Sequence, residues 1–345
     1  MCNKGILLKK KKYSKNIKPK ISIIAAIYNK RQFIIRFIRS IQNQNFNNIE
    51  IILVDDCSTD NSVKIIEKYQ KNDERIILIK HHRNKGTLIS RNNGIIKAKG
   101  EYVIIPDPDD ILLNNILNIS YIYAKKNDYD IIRFDAKIGN YELYMKDLIK
   151  NIKDRPIYQP ELSLLIFYGE GYLEQLDYVL WNKLIKRKIF IKTLNSIKEY
   201  YLNQNMITFE DGLINFILYK EAKSFYYLEY IGYYYLGNKF SITSNYKNNN
   251  IFEKLLFNNF LYLKFIFQYT RNTKYEKNIF SLIFNKMPKE FYDNKSYKKI
   301  NKKFDFYYEI INSIINSELV PLSVKNKLFS IKNLIKISQN ISNIK

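Results

Sequence analysis

The sequence predicts an α/β protein built on a doubly wound, mostly parallel sheet. Apolar strand-like runs alternate with amphipathic helical stretches from Ile21 to Pro106, the pattern of parallel β-α-β units. Polar clusters follow three of those runs: Tyr28-Asn29, Asp55-Asp56 and Asp107-Pro108-Asp109-Asp110. Ligands of such sheets bind beyond the carboxyl ends of the strands, so these clusters should converge. Neither the GxGxxG pattern nor the P-loop glycine pattern occurs, which removes the main support for dinucleotide-binding and P-loop readings.

The elements read as follows. Residues 1–20 form a basic, proline-containing arm. Ile21 to Ile27 is an apolar strand. Arg31 to Gln44 places Phe33, Ile34, Phe37, Ile38 and Ile41 at helical spacing. Ile49 to Val54 is the second strand. Thr59 to Gln70 is a helix that Ser58 or Asp60 caps. Arg75 to Lys80 is the third strand, and Gly86 to Ala98 the third helix, with Gly100 as its C-terminal glycine. Tyr102 to Pro106 is the fourth strand. Beyond Asp110 the alternation weakens: Ile111 to Lys126 reads as helix, Tyr129 to Phe134 as strand, and 140–230 as a mixed region. Segments around 251–269, 275–287, 303–317 and 322–338 read as amphipathic helices. The expected organisation is an arm (1–20), a main domain of two halves (about 21–115 and 116–245), and a helical C-terminal region (246–345).

Composition narrows the chemistry. Cys2 and Cys57 form no disulfide framework, which fits a reducing compartment. His81 and His82 are the only histidines, too few for a zinc site of several His or Cys ligands. The N-terminal apolar stretch is too short for a signal peptide, and no apolar run is long enough to span a membrane. A cytoplasmic protein is expected. The net charge of +24 attracts anions, whether as solvated surface lysine or as a surface for a membrane or polyanion.

The acidic turn carries the sharpest signal. Asp107, Asp109 and Asp110 repel one another unless something neutralises them. Hard divalent ions do so, taking one or two carboxylates plus substrate phosphate oxygens. The stretch therefore points to a metal-assisted site for a phosphorylated substrate, with a solvated acidic turn as the other reading.

These residues, with their neighbours, resemble the family-2 glycosyltransferases of GT-A fold. The resemblance rests on SIIAAIYN (22–29), ILVDDCSTDNS (52–62), NKG (84–86), RNNG (91–94), AKGEY (98–102) and DPDD (107–110), in matching order and spacing. WNKLIKR (181–187), FEDG (209–212), YYY (233–235) and SIT (241–243) are similar to members that build bacterial surface polysaccharide or lipooligosaccharide. Two departures are Ala26, where proline is common, and Cys57, where glycine is common.

The resemblance implies an inverting transfer of a hexose or N-acetylhexosamine from a UDP-sugar to a glycan or lipid-linked glycan, assisted by Mn²⁺ or Mg²⁺. Asp56, aided by Asp55, can accept the uracil N3–H, or one of the pair caps the next helix. The backbone of Ala26 to Tyr28 lines the base pocket, and Tyr28 packs on a ring or in the core. Arg91 binds uracil or diphosphate oxygens in a forked geometry, or fixes a loop through an aspartate. Asp109 is the expected direct metal ligand, and Asp107 reaches the ribose or a metal-bound water. Pro108 completes the donor turn, and Asp110 orients the others from behind. Asp211 is the expected base, with Glu210 second, or the two complement a helix dipole. Trp181 stacks on acceptor sugar or serves as a half-buried anchor. The basic C-terminal helices form either a peripheral inner-membrane surface or the exterior of a small bundle.

Two other functional classes are kept as alternatives. The charge alone suits a nucleic-acid-binding protein, yet no nucleic-acid-binding signature accompanies it, and nucleic acid is not expected as a partner. A catalytically silent assembly subunit is the other, against which Asp107, Asp109 and Asp211 stand intact.

Overall fold

The computed structural model describes residues 18–139, 141–143, 156–158, 179–202 and 210–237. The predicted arm lies outside the described residues save for its last few positions, and the predicted C-terminal helices lie wholly outside them. In chain order the elements are β1 (Ile21–Ile27), α1 (Ile34–Gln42), β2 (Ile49–Asp55), α2 (Ser62–Gln70), β3 (Ile76–Lys80), α3 (Thr87–Lys97) and β4 (Tyr102–Ile104). Then come β5 (Ile111–Leu112), α4 (Ile116–Lys126), β6 (Ile131–Ile138), β7 (Tyr141–Leu143), β8 (Ile157–Tyr158), β9 (Lys183–Lys186), α5 (Arg187–Leu202), α6 (Glu210–Glu221) and β10 (Ser224–Tyr235).

One sheet holds them in the order β3-β2-β1-β4-β9-β6-β10-β5, with β7 on β6 and β8 on β10. The first four strands are parallel, as their continuous apolar runs predict. Every residue of β2 is buried. β9 runs antiparallel to both β4 and β6 and joins the first block to the parallel pair β6 and β10. The strand order reverses at β1, between β2 and β4, which is where a doubly wound sheet opens a crevice for ligand.

Packing sets the height of α3 over this crevice. Gly94 faces Ile24 and Val54 so closely that a side-chain carbon there would collide with both, and α3 lies directly on β1 and β2 as a result. Gly100 corrects one expectation. α3 ends at Lys97 with Ala98 extended, so Gly100 is no left-handed cap. Its N–H instead donates to Ser22 Oγ at 2.8 Å and to Glu50 Oε1 at 3.1 Å, and a side chain would strike the Ser22 backbone.

Two further boundaries differ. Ile111 and Leu112 form β5, paired with Tyr234 and Tyr233 of β10, and helix begins only at Ile116. Ser58 does not cap α2. Its hydroxyl accepts the Asn29 N–H at 3.0 Å, while Asp60 Oδ1 accepts the Ser62 N–H at 2.9 Å.

Candidate active site

The tips of β1 and β2 are stitched together before any ligand is considered. Asn29 Oδ1 accepts from the Thr59 N–H at 2.8 Å, Lys30 N–H donates to Ser62 Oγ at 2.9 Å, and Arg31 N–H donates to Asp60 Oδ2 at 3.0 Å. Asn29 (φ 51°) and Cys57 (φ 67°) are both left-handed. That region favours glycine, the residue that the family resemblance leads one to expect where this chain has Cys57. Tyr28 is 48% exposed at the rim, Ala26 is half-buried on β1, and Asp55 is buried. Asp55 Oδ2 accepts the Ser58 N–H at 3.1 Å, while Oδ1 is buried with no hydrogen-bond partner.

Both oxygens of Asp56 already have partners within the chain. Its Oδ1 accepts the Lys85 N–H at 2.8 Å and meets His81 Nδ1 at 2.8 Å, while Oδ2 accepts the Gly86 N–H at 2.7 Å. Asn93 Nδ2 donates to His81 Nε2 at 2.8 Å. An acceptor at Nε2 leaves the proton on Nδ1, so His81 donates to Asp56. In the structure Asp56 is the anchor of the loop that opens α3, and His81, assigned no chemistry from sequence, holds that anchor.

Arg91 lies on α3 over the crevice, its side chain 6% exposed. Nη2 donates to Asp107 Oδ1 at 2.8 Å. Nη1 donates to Asp211 Oδ1 and stands 3.6 Å from Glu210 Oε1. A single guanidinium thus joins the acidic turn after β4 to the acidic start of α6, residues 120 positions apart from Arg91 to Asp211. Burial opposes the Arg91 charge, but Asp211, Asp107 and Glu210 outweigh it and raise its pKa. Glu210 is pushed up to about 8 by burial, with Asp211 adding to the shift and Arg91 opposing it. The first turn of α6 carries both carboxylates, where the helix dipole favours negative charge.

The acidic turn itself is closed by Asp110 N–H donating to Asp107 O at 3.2 Å, with Pro108 buried at the second position, a place that suits its fixed φ. Asp109 Oδ2 receives Lys30 Nζ at 2.7 Å, and Arg36 Nη2 donates to its carbonyl at 2.6 Å. Asp110 faces the other way. The Tyr233 hydroxyl accepts the Asp107 N–H at 3.0 Å and donates to Asp110 Oδ2 at 2.9 Å, and the Leu236 N–H reaches Oδ1 at 3.0 Å. Burial, with Asp107 second, pushes Asp110 up to about 7. Tyr233→Phe removes a hydroxyl that serves both ends of this turn. The expected cost is about 1–3 kcal/mol, read as a lowered Tm. An unchanged Tm would show that the turn does not depend on it.

Of the two readings for Trp181, the structure favours the anchor. It is 5% exposed and lies flat against Tyr233, ring centroids 4.4 Å apart. The indole is a support beneath Tyr233, and a face available for acceptor sugar is not what the structure gives it. Tyr233 and Lys30, like His81, are site residues that sequence reasoning left without a role. Lys30 had a signal: a cation directly after the first strand tip, facing an acidic turn across the switch point.

The residues fit a divalent ion. Asp107 and Asp109 offer hard oxygen donors, which suit Mg²⁺ and Mn²⁺. Burial raises the Asp107 pKa, Arg91 opposes this, and Asp211 and Asp109 add to it; a cation would relieve this crowding of like charge. Among the described residues no three His, Cys, Asp or Glu side chains enclose a metal by themselves, so an ion here draws further ligands from substrate or water. No helix among the described residues is long and apolar enough to cross a membrane.

Comparison with known proteins agrees with this geometry. The profile described as "Glycosyl transferase family 2" matches residues 22–205, just over half of the chain. Glycosyltransferase GlyG of Streptococcus pneumoniae is 35% identical over 130 residues, covering 36% of this chain and 43% of that protein. The cholesterol galactosyltransferase of Borreliella burgdorferi is 32% identical over 209 residues, covering 56% of this chain and 53% of that protein. The chain thus spans about half the length of these relatives. The crystal structure of S. aureus TarS 1-349 in complex with UDP superposes with a TM-score of 0.63 at 18% identity, covering 93% of this chain and 89% of that one. This likeness is one of fold, the GT-A arrangement expected from sequence.

Proposed function

The chain belongs to glycosyl transferase family 2, and we propose that it moves a hexose or N-acetylhexosamine from a UDP-sugar to a hydroxyl of a glycan acceptor in bacterial surface polysaccharide or lipooligosaccharide synthesis, with inversion. The observation that carries this reading is the Arg91 bridge. It brings a donor-side carboxylate, Asp107, and an acceptor-side carboxylate, Asp211, to one guanidinium at the mouth of the crevice. Relatives with related printed activities support the setting. One is a GalNAc(5)-diNAcBac-PP-undecaprenol beta-1,3-glucosyltransferase of Campylobacter jejuni, 37% identical over 111 residues and covering 32% of this chain. A lipid-linked glycan is accordingly the acceptor class we favour, reached from the cytoplasmic face of the inner membrane.

In this reading the uracil enters beside Tyr28 and the backbone at Ala26. The Asp55-Asp56 pair supplies the acceptor for the imide N–H. Asp109, with Asp107 beside it, would hold Mg²⁺ or Mn²⁺, which when bound would supply positive charge against that of the diphosphate. Arg91 turns its fork to phosphate oxygens as they arrive. Asp211 takes the proton of the acceptor hydroxyl as its oxygen bonds to the anomeric carbon from the face opposite the diphosphate. The bond to the diphosphate breaks and UDP leaves with the electron pair. Burial, which pushes Glu210 up to about 8, makes it the poorer proton acceptor of the pair near neutral pH once it is protonated.

The test is a panel of UDP-sugars, each with Mg²⁺ or Mn²⁺, scored for hydrolysis and for thermal stabilisation. UDP with metal is expected to raise Tm by several degrees at saturating concentration, and one sugar should be hydrolysed above the rest. No stabilisation by UDP with either ion would overturn the proposal.

A further inference from the structure

We propose that Lys30 is the resident counter-ion of Asp109, so that a divalent ion is admitted together with a diphosphate and is resisted without one. The inference rests on the donor reading above and deepens it, because it sets the order in which that site fills.

The geometry is specific. Lys30 Nζ lies 2.7 Å from Asp109 Oδ2, across the crevice between the tips of β1 and β4. The backbone of Lys30 cannot drift: its N–H is fixed on Ser62 Oγ, and its carbonyl accepts from Phe33 and Ile34 at 2.9 and 3.0 Å. Asp109 is held equally well through its carbonyl by Arg36. Only the lysine stem is free to swing. The Phe33 ring, 5.7 Å from the ammonium, lies beside its path. Both partners are partly exposed, at 23% and 17%, so the pair can be broken at modest cost.

An ion approaching Asp109 alone must displace the ammonium and leave two cations facing each other. A diphosphate changes the balance, because its oxygens give Lys30 a new anionic partner as Asp109 is vacated. Metal and nucleotide should therefore bind with positive coupling, and Lys30 should carry part of it. Arg91 is not a counter-ion of Asp109: its partners are Asp107, Asp211 and Glu210, and it is more deeply buried than Lys30.

The experiment measures Mn²⁺ affinity by electron paramagnetic resonance, with and without UDP, for the parent chain, Lys30→Met and Lys30→Arg. Without UDP, Lys30→Met is expected to bind Mn²⁺ about fivefold more tightly, the ratio that roughly 1 kcal/mol of lost ion pairing gives. The enhancement of Mn²⁺ affinity by UDP should shrink by at least that factor, while Lys30→Arg stays close to the parent. Unchanged or weaker Mn²⁺ binding by Lys30→Met without UDP would overturn the inference, as would no Mn²⁺ binding by parent and variant alike. Calorimetry of UDP on the parent separates the two ideas. Binding of UDP with Mn²⁺ insensitive to Lys30 removes this inference and spares the donor reading. Absence of UDP binding with metal removes the donor reading itself.

Discussion

Asp211→Asn is expected to lower glycosyl transfer about a thousandfold, within the range that general-base removal produces, while UDP affinity stays within about twofold of the parent. The amide keeps the shape of the carboxylate and can still turn an oxygen toward Arg91, so the start of α6 should hold its place. What it loses is the ability to accept a proton. Glu210→Gln should cost much less, since burial already pushes that group up to about 8 and a neutral amide resembles its protonated form. Steady-state rates with the preferred donor, together with UDP titration, read both quantities. A Glu210→Gln loss equal to that of Asp211→Asn would exchange the two roles.

Arg91→Met is expected to be the most damaging substitution for the fold of the site. It leaves Asp107, Glu210 and Asp211 facing one another without their shared cation. Breaking a buried pair on one side costs about 3–5 kcal/mol, which for a chain of this size lowers Tm by on the order of 10 °C. Activity should fall at least about a hundredfold as the diphosphate loses its clamp.

The pH dependence gives a sharper test, in metal-free buffer. Glu210 has its folded pKa raised from 4.5 to about 8, so between those values the folded chain binds a proton that the unfolded chain does not. Its stabilising contribution is present below about pH 4.5 and is lost as pH rises through 8. Without Arg91 the upward shifts of Glu210 and Asp107 grow. The Tm deficit of Arg91→Met should therefore be largest above pH 8 and shrink toward pH 5. A deficit independent of pH would mean that the guanidinium acts there by packing alone.

The nucleotide-side half of the fold was legible from sequence because each buried parallel strand leaves a continuous apolar run and each covering helix leaves a stripe. Ile49 to Val54 and the spacing of Ile34, Phe37, Ile38 and Ile41 are of this kind. The acceptor-side half was legible only in part: α4 and β6 overlap the expected helix and strand, while β5 and β9 were missed. β9 is only KLIK, and its lysines are buried in polar contacts: Lys186 is held by Asp130 and Lys183 by the Val179 carbonyl. Such a segment reads as a solvated basic motif. β5 was hidden because two strand residues precede a helix that shares their apolar character.

At the site, the acidic turn, Arg91 and the Glu210-Asp211 pair were legible as residues, but the link between them was not. No local pattern reports that a helix near residue 91 and another near 211 meet over one strand tip. Asp56 shows a second limit: its residue type suits a ligand, but its bonds to the Lys85 and Gly86 N–H groups had no signal in the sequence. Only coordinates distinguish an acceptor facing a pocket from one facing a loop.

The antiparallel strand β9 has a consequence for how such enzymes diversify. In the proposed reading it is a hinge point in the chain's logic: the groups assigned to the nucleotide come from Asp110 or earlier, and the assigned proton acceptor comes from Glu210 or later. The segment between them can be rewritten wholesale for a new acceptor, provided one short strand still docks and one arginine still finds its aspartate. Chimeras exchanged between β5 and α6 should thus inherit the donor of one parent and the acceptor of the other.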